Sequence, residues 1–423
     1  MTAPARGPGR EAAHDGEAAH VPCGEAAPRP GGEAAPSPGG EAAPGRDGVA
    51  ARDPGGQSTR ARGAGGGAAP MHRFGSGEPF SVGLEEELLL VDPQTLRLAH
   101  VAAEVLPHVD LPRERVDHEA FLAELEVRSD PCASVAEAVG QLAEGRAAVR
   151  AAGATPMAAG LHPDAELFDV RLVQSERYAR VERQMRGLIK RTPECALHVH
   201  VGVPDPDSAV NVMNAWREAL PLLHGLAASS PFWFGRDSGM ASSRSAVIRA
   251  YPGRGIPPYL HSWDDYLAAL DGVRAGGGPT DHTMVWWDAR PQPRLGTVEL
   301  RELDVQADLA STAAVAGLAR AIAGRAAEAP PLRAASEQAL HWSSFSAARD
   351  GLDAELLHEG RPVPLREVAR RTLAELGGED PLDGIERILD AGNGALRQRA
   401  AHERGGMPGL LRFLRDETAR AAS

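Results

Sequence analysis

Residues 80 to 92, FSVGLEEELLLVD, alternate apolar and polar side chains with the period of two that marks a β-strand. Phe80, Val82, Leu84, Glu86, Leu88 and Leu90 share one face; Ser81, Gly83, Glu85, Glu87, Leu89 and Val91 share the other. Glu85 and Glu87 therefore point the same way. Glu86 points into the apolar side, where a buried charge needs a partner such as an arginine. Three further segments repeat the device. In ALHVHVGV (196–203), Leu197, Val199, Val201 and Val203 oppose His198 and His200. In GTVELREL (296–303), Val298 and Leu300 oppose Thr297, Glu299 and Arg301. In LAELEVRS (122–129), Leu125 and Val127 oppose Glu124, Glu126 and Arg128.

Between these strands the apolar period changes to that of amphipathic helices, over 134–153, 207–228 and 312–329, the last rich in alanine that permits close approach to its neighbours. Residues 330 to 420 read as mostly helical, with breaks at EGRPVP and GGEDPLDG. The pattern predicts one α+β domain over 78–420 with a helical C-terminal part.

Residues 1–77 have no such pattern. GEAAP recurs around Glu25, Glu33 and Glu41, and Pro, Gly, Ala and charge dominate. A disordered low-complexity tail is expected there, since so little apolar surface cannot offset the entropy of ordering it. Met71 follows directly and would make a natural start.

Composition narrows the function. A net charge of −13 argues against nucleic acid or an anionic membrane surface as partner. Lys190 is the only lysine and lies outside any glycine loop, so a P-loop is excluded and phosphate must be handled by arginine, backbone amides or metal ions. Cys23, Cys132 and Cys195 have neither metal-site spacing nor the density of a disulfide framework. A reduced, cytoplasmic setting is expected, with no membrane-spanning run and no signal peptide. Small-molecule partners follow; a homo-oligomer is compatible with the sequence, which carries no sign of oligomeric state.

A solvated sheet face also alternates apolar with charged residues. Such faces usually mix Lys, Thr, Gln and Ser, whereas these four collect Glu, His and Arg, the types that bind hard divalent cations and anions. Neighbouring carboxylates at Glu85 and Glu87 repel one another unless a shared cation neutralises them. Mg²⁺ or Mn²⁺ beside arginines meets the main requirement of phosphoryl transfer from a nucleotide. A metal-dependent hydrolase of amides or esters, built on the HVH and Glu cluster, is the alternative, and a binding protein without turnover is a third.

The motifs VGLEEELLLVDPQT, LEVRSDPC, AGLHPDAELFD, LHVHVGVPD, SPFWFGRDSGMASSRS, WWDARPQPRLGTVELRELDVQ and GNGALRQRA, in this order across roughly 78–420, resemble those of the carboxylate–amine ligases of the glutamate–cysteine ligase type 2 group. The resemblance implies a glutamine-synthetase-like antiparallel β-sheet funnel flanked by helices. It would receive ATP, two or three Mg²⁺ ions (Mn²⁺ in their place) and glutamate. In that chemistry a side-chain carboxylate takes the γ-phosphoryl group of ATP, and an amine such as that of cysteine displaces phosphate from the acyl phosphate. Carried over motif by motif, Glu85, Glu87, Glu126, His198 and Glu299 become metal ligands. Glu299 and Arg301 are the expected catalytic residues, with Arg301 on the transferring phosphate. His200, Arg236, Arg244 and Arg290 become substrate or phosphate contacts. The chain departs from the group's pattern at Asp350, in LHWSSFS, and at Glu302, where a hydrophobic residue is usual; these departures bear on the acceptor amine.

Overall fold

A seven-stranded antiparallel sheet organises the computed structural model, which describes residues 72–328, 335–377 and 382–420. Its strands are β1 (Val82–Val91), β2 (Val116–His118), β3 (Glu124–Arg128), β4 (Thr155–Met157), β5 (Ala196–Gly202), β8 (Ala289–Gln292) and β9 (Thr297–Asp304). Two residues each form β6 (Phe232–Trp233) and β7 (Arg236–Asp237), a separate ribbon. The order across the sheet is β2-β3-β1-β5-β9-β8, with β4 also paired to β1. All four strands expected from the alternation are present, and they are consecutive in the sheet although remote in sequence.

Helices α1 (Ala102–Val105), α2 (Val135–Ala151), α3 (Glu176–Met185), α4 (Pro206–Ala227), α5 (Ser243–Ile248), α6 (Trp263–Ala275) and α7 (Leu309–Glu328) connect and flank these strands. Capping fixes where two of them begin. The Ser134 hydroxyl accepts from the Glu137 amide, and the Asp205 carboxylate accepts from the Ser208 amide with Pro206 in the first turn. The apolar sheet face, including Leu84, Leu88, Val199, Val201, Val298 and Leu300, is fully buried in the core that α2, α4 and α7 share. Small residues set the approach distances. At Gly145 of α2 a Cβ would meet the Val127 side chain at 2.1 Å, and the Trp216 indole of α4 donates to the Ala319 carbonyl of the alanine-rich α7 at 2.9 Å.

Glu86 has the partner its position demands. Arg146 of α2 forks onto it, Nε to Oε1 at 2.7 Å and Nη2 to Oε2 at 2.6 Å, and also donates to the carbonyls of Ala307 (2.7 Å) and Gln306 (2.8 Å). Both side chains are essentially inaccessible.

The strand alternation has one interruption. Leu197 pairs with Leu303 but Val199 pairs with Leu300, so Arg301 and Glu302 together lie opposite His198. Such a bulge shifts the phase of the strand by one residue. Glu302 is thereby freed from the apolar side that strict alternation from Leu300 gives it.

Two expectations need revision. The tail was expected to run to residue 77, but residues 72–77 belong to the fold; residues 1–71 of that tail lie outside the described residues. The Arg73 amide donates to the Pro293 carbonyl, the Gly75 amide to the Val203 carbonyl, and Phe74 is buried edge-on against Trp263. One aromatic residue suffices to tether the segment, which its Gly- and Ser-rich composition concealed. At the C-terminal end, helices α8 (Glu337–Asp350), α9 (Leu365–Leu376), α10 (Asp383–Ala391) and α11 (Gly394–Ala419) are as expected, α11 kinking at Gly406. The EGRPVP break, however, is part of a hairpin of β10 (Glu355–His358) and β11 (Arg361–Pro364), turned by Glu359 and Gly360 at positive φ. Its two prolines hide a strand pattern. Residues 378–381 of GGEDPLDG lie outside the described residues.

Candidate metal centre

Sheet register brings the polar faces together. Glu85 lies opposite both Arg128 and His198, Glu87 opposite Glu126, and Glu299 opposite both His200 and Arg290. Two triads result, Glu85–His198–Glu299 and Glu87–Glu126–His198, each offering three ligand atoms within 4.8 Å of one another. His198 belongs to both, with Nδ1 3.2 Å from Glu85 Oε2 and 3.9 Å from Glu299 Oε1, and Nε2 3.9 Å from Glu87 Oε1.

Glu87, Glu126, His198 and Glu299 are buried and Glu85 is partly so, and their protonation reflects it. Burial and the neighbouring Arg301 push the His198 imidazole down to about 4, leaving it neutral with a free lone pair. Burial would raise Glu85, but His200 and His198 outweigh it and hold the carboxyl well below the usual range. Glu299 is also low, because Arg290 and Arg301 overcome burial. Glu87 goes the other way: burial, with Glu119 and Glu194 nearby, pushes it up to about 8. A carboxyl that resists ionisation beside others is relieved by a cation.

The donor set fits a divalent metal. The buried Nε2 atoms of His198 and His200 have no hydrogen-bond partner, and carboxylate oxygens outnumber nitrogens as Mg²⁺ or Mn²⁺ prefer. His200 sits slightly apart, its Nδ1 3.1 Å from the Thr297 hydroxyl and its Nε2 3.5 Å from Glu85 Oε1.

The arginines divide by role. Arg301 pairs with Glu299, and its buried Nε has no partner. Arg290 is occupied within the protein: Nε donates to Glu299 Oε2 at 2.8 Å, and Nη1 to the carbonyls of Thr283 (2.7 Å) and Val285 (2.9 Å). Its Nε bond positions Glu299. Arg244 in α5 is fully buried and donates from Nε to Glu194 at 2.7 Å. Arg236 is not drawn in; it is exposed on the β6–β7 ribbon and makes no ion pair with the cluster among the described residues.

Several groups escaped the sequence reading. Arg128, opposite Glu85, pairs with Glu126. Gln292 donates to Glu299, and its spacing of two from Arg290 on β8 was the available signal. Glu194 and Arg254 come from loops, where no period marks a face. Glu302 is enclosed by Arg249 Nη2 (3.4 Å), the Ser245 hydroxyl (3.2 Å) and His224 Nδ1 (3.5 Å).

Comparison with known proteins identifies the family of the chain. A protein of Rubrobacter xylanophilus provisionally named glutamate–cysteine ligase 2-3 is 37% identical over 363 residues, covering 82% of this chain and 99% of its own length. A protein of Frankia alni provisionally named glutamate–cysteine ligase 2-1 is 34% identical over 78% of this chain and 92% of its own. Among solved structures, the glutamate–cysteine ligase of Francisella tularensis in complex with AMP superposes with a TM-score of 0.58 at 14% identity, over 80% of this chain and 88% of that one, which shows a common fold. The model of glutamate–cysteine ligase family 2 matches residues 81–416, from the first glutamate strand to the last helix, and the chain belongs to that family.

Proposed function

We propose that the protein is an ATP- and Mg²⁺-dependent carboxylate–amine ligase that forms an amide bond through an acyl phosphate, with glutamate as donor and an amine such as that of cysteine as acceptor. The observation that carries this reading is the pair of triads sharing His198 on a buried sheet face, with Arg301 alongside. The AMP bound to the Francisella tularensis ligase supports a nucleotide as partner of the same fold.

Glu85, Glu87, Glu126, His198 and Glu299 would hold the ions, Mn²⁺ serving in place of Mg²⁺. When bound, the ions neutralise phosphate oxygens and the donor carboxylate, lowering the repulsion between nucleophile and nucleotide. The protein's own contributions are readable in the geometry. Neutral His198 has one lone pair, so it would serve as ligand in one triad while its N–H faces the other. Arg290 and Gln292 fix both the position and the negative charge of Glu299. Arg301, with its free Nε, would meet the charge that builds on the transferring phosphoryl group.

A metal-dependent hydrolase would need neither ATP nor an acceptor. The test is ADP release by the full chain across amino acids and amines at fixed ATP and Mg²⁺. Mg²⁺-dependent ADP release that requires glutamate, and rises with an acceptor amine, is expected. Amide or ester cleavage without ATP would replace this reading with the hydrolase.

A further inference from the structure

On α8 the residues Gln338, Trp342, Phe345 and Arg349 follow one another at helical spacing and form an exposed stripe. The opposite face, Leu340, Ser343, Ser344, Ala347 and Ala348, is buried. Trp342 is 64% exposed and Phe345 45%, and among the described residues no large apolar side chain is more exposed than Trp342. The two rings meet edge to face with centroids 6.0 Å apart, and the Arg349 guanidinium lies over Phe345 at 5.6 Å. An aromatic pair fixed in this way projects from the helix, and its burial is forgone while it faces water.

A groove runs beside this stripe, lined by Leu222 of α4, Ile322 of α7, Leu356 of β10 and Leu376 of α9. Two hydrogen bonds tie α8 to its wall. The Leu357 amide donates to the Ser343 hydroxyl at 2.9 Å, and the Ala335 amide, just before the helix, donates to Glu218 at 3.2 Å. Projection and groove therefore lie side by side on one face. Their charges are opposite where each is free. Glu375 stands on the groove's rim, exposed, and its carboxylate makes no ion pair among the described residues; Arg325 reaches only its carbonyl. Arg349 spends Nε and Nη2 on Asp350, at 2.8 and 2.6 Å, and keeps Nη1. The rest of the chain offers no occupant: residues 1–70 contain no Leu, Ile, Phe, Tyr or Trp to fill an apolar groove. The net charge of −13 opposes an anionic lipid surface. A second copy supplies every missing part, an aromatic projection for the groove, a groove for the projection, and an arginine for Glu375.

We infer that this face joins two copies of the chain about a two-fold axis, with Trp342 of each seated in the groove of the other and Arg349 of each paired with the other's Glu375. A patch that holds both complementary parts closes on itself as an isologous dimer, whereas parts on different faces would propagate into a ring or filament. Trp342 is the aromatic anchor of the contact, and the Arg349–Glu375 pairs at the rim fix its register. None of the metal-centre residues takes part, so the inference stands apart from the ligase reading.

Sedimentation of the full chain across a dilution series is the test, with circular dichroism of each variant to confirm a native fold. Wild type is expected to dimerise with a Kd of about 10 µM or tighter, as an interface of standard size permits. Trp342→Asp should weaken the dimer by at least about 30-fold, the loss expected of an aromatic anchor. Thr372→Trp fills the groove from α9 and leaves Trp342 in place, and it should weaken the dimer to a similar degree. Arg349→Glu and Glu375→Arg should each weaken it by about 5- to 30-fold, since the pair occurs twice, and the double reversal should restore most of the loss. A wild-type chain that stays monomeric at about 100 µM overturns the proposal. A blue shift of tryptophan fluorescence on phosphatidylcholine vesicles, absent in Trp342→Asp, would then give the face to a lipid surface. A dimer unmoved by Trp342→Asp and Thr372→Trp, or charge reversals that the double variant fails to restore, overturns it as well.

Discussion

Replacing Glu86 by glutamine separates the structural acid of the Glu85–Glu87 run from its two neighbours. Arg146 makes four hydrogen bonds, two to the Glu86 carboxylate and two to the carbonyls of Gln306 and Ala307, and neither side chain reaches water. A glutamine of the same shape keeps one acceptor oxygen but turns an amide NH₂ toward the guanidinium and leaves its charge unbalanced. Breaking a buried pair in this way costs about 3–5 kcal/mol. The one charge-assisted hydrogen bond lost, at about 1.5–3 kcal/mol, together with the amide NH₂ turned against the guanidinium, leads to the same range. For a domain of this size that is a fall in Tm of about 4–7 °C. Thermal and urea unfolding without added metal would measure it, with Glu87→Gln as a control expected within about 1 kcal/mol of wild type, since burial pushes that carboxyl up to about 8 and leaves it neutral near pH 7. The paired change Glu86→Leu with Arg146→Met should recover part of the loss, the remainder reflecting the carbonyls of Gln306 and Ala307 left without donors. A Glu86→Gln protein as stable as wild type would refute the assignment of Glu86 as a structural partner of Arg146.

Other outcomes follow from the same coordinates. Gly145→Ala should destabilise by about 1–3 kcal/mol despite the better helix propensity of alanine, because the new methyl overlaps Val127 and α2 must move off the sheet; a gain in urea midpoint would contradict this. Removing residues 1–70 should leave activity and Tm unchanged, whereas removing 1–77 also deletes buried Phe74 and should cost about 3 kcal/mol or more in unfolding experiments. Burial, with the Glu302 charge beside it, holds Asp288 up to about 7 against the pull of Arg249. Its folded pKa is above its unfolded one, so the folded state binds the extra proton between about 4 and 7, and this contribution to stability is full below that window and lost as pH rises through about 7. Asp288→Asn should therefore flatten the decline in Tm between about pH 4 and 7; an unchanged slope would show that Asp288 does not titrate there.

How far the sequence alone reached depends on the period of the element. The four loaded strands could be read because alternation separates faces without any knowledge of neighbours, and Glu85, Glu87, Glu126, His198 and Glu299 do share one face of one sheet. The partner of Glu86 was foreseeable in kind, since an apolar face tolerates only a paired acid, but Arg146 itself depended on how α2 crosses β1 and β3. The bulge at Arg301 and Glu302 was not legible: alternation assumes one residue opposite one, and a two-against-one pairing arises only when β5 and β9 meet. That is why Glu302 looked out of place in sequence and is enclosed by Arg249, Ser245 and His224 in the fold. Arg236 and Arg290 show what residue type alone leaves open. Arg236 lies on an exposed ribbon, and Arg290 donates from Nε and Nη1 to Glu299 and two carbonyls. Glu194 and Arg254 lie on loops, whose side-chain directions are set by tertiary contacts alone.

The sharing of His198 between the two triads is the feature most directly open to measurement. Titration of Mn²⁺ into the full-length protein, followed by the electron paramagnetic resonance of free ion, should find two bound ions in wild type. Glu126→Gln should weaken one, Glu299→Gln the other, and His198→Ala the one that its single lone pair serves, while circular dichroism stays native. A His198→Ala protein that binds Mn²⁺ as wild type does would contradict the convergence of these strands on a common metal centre.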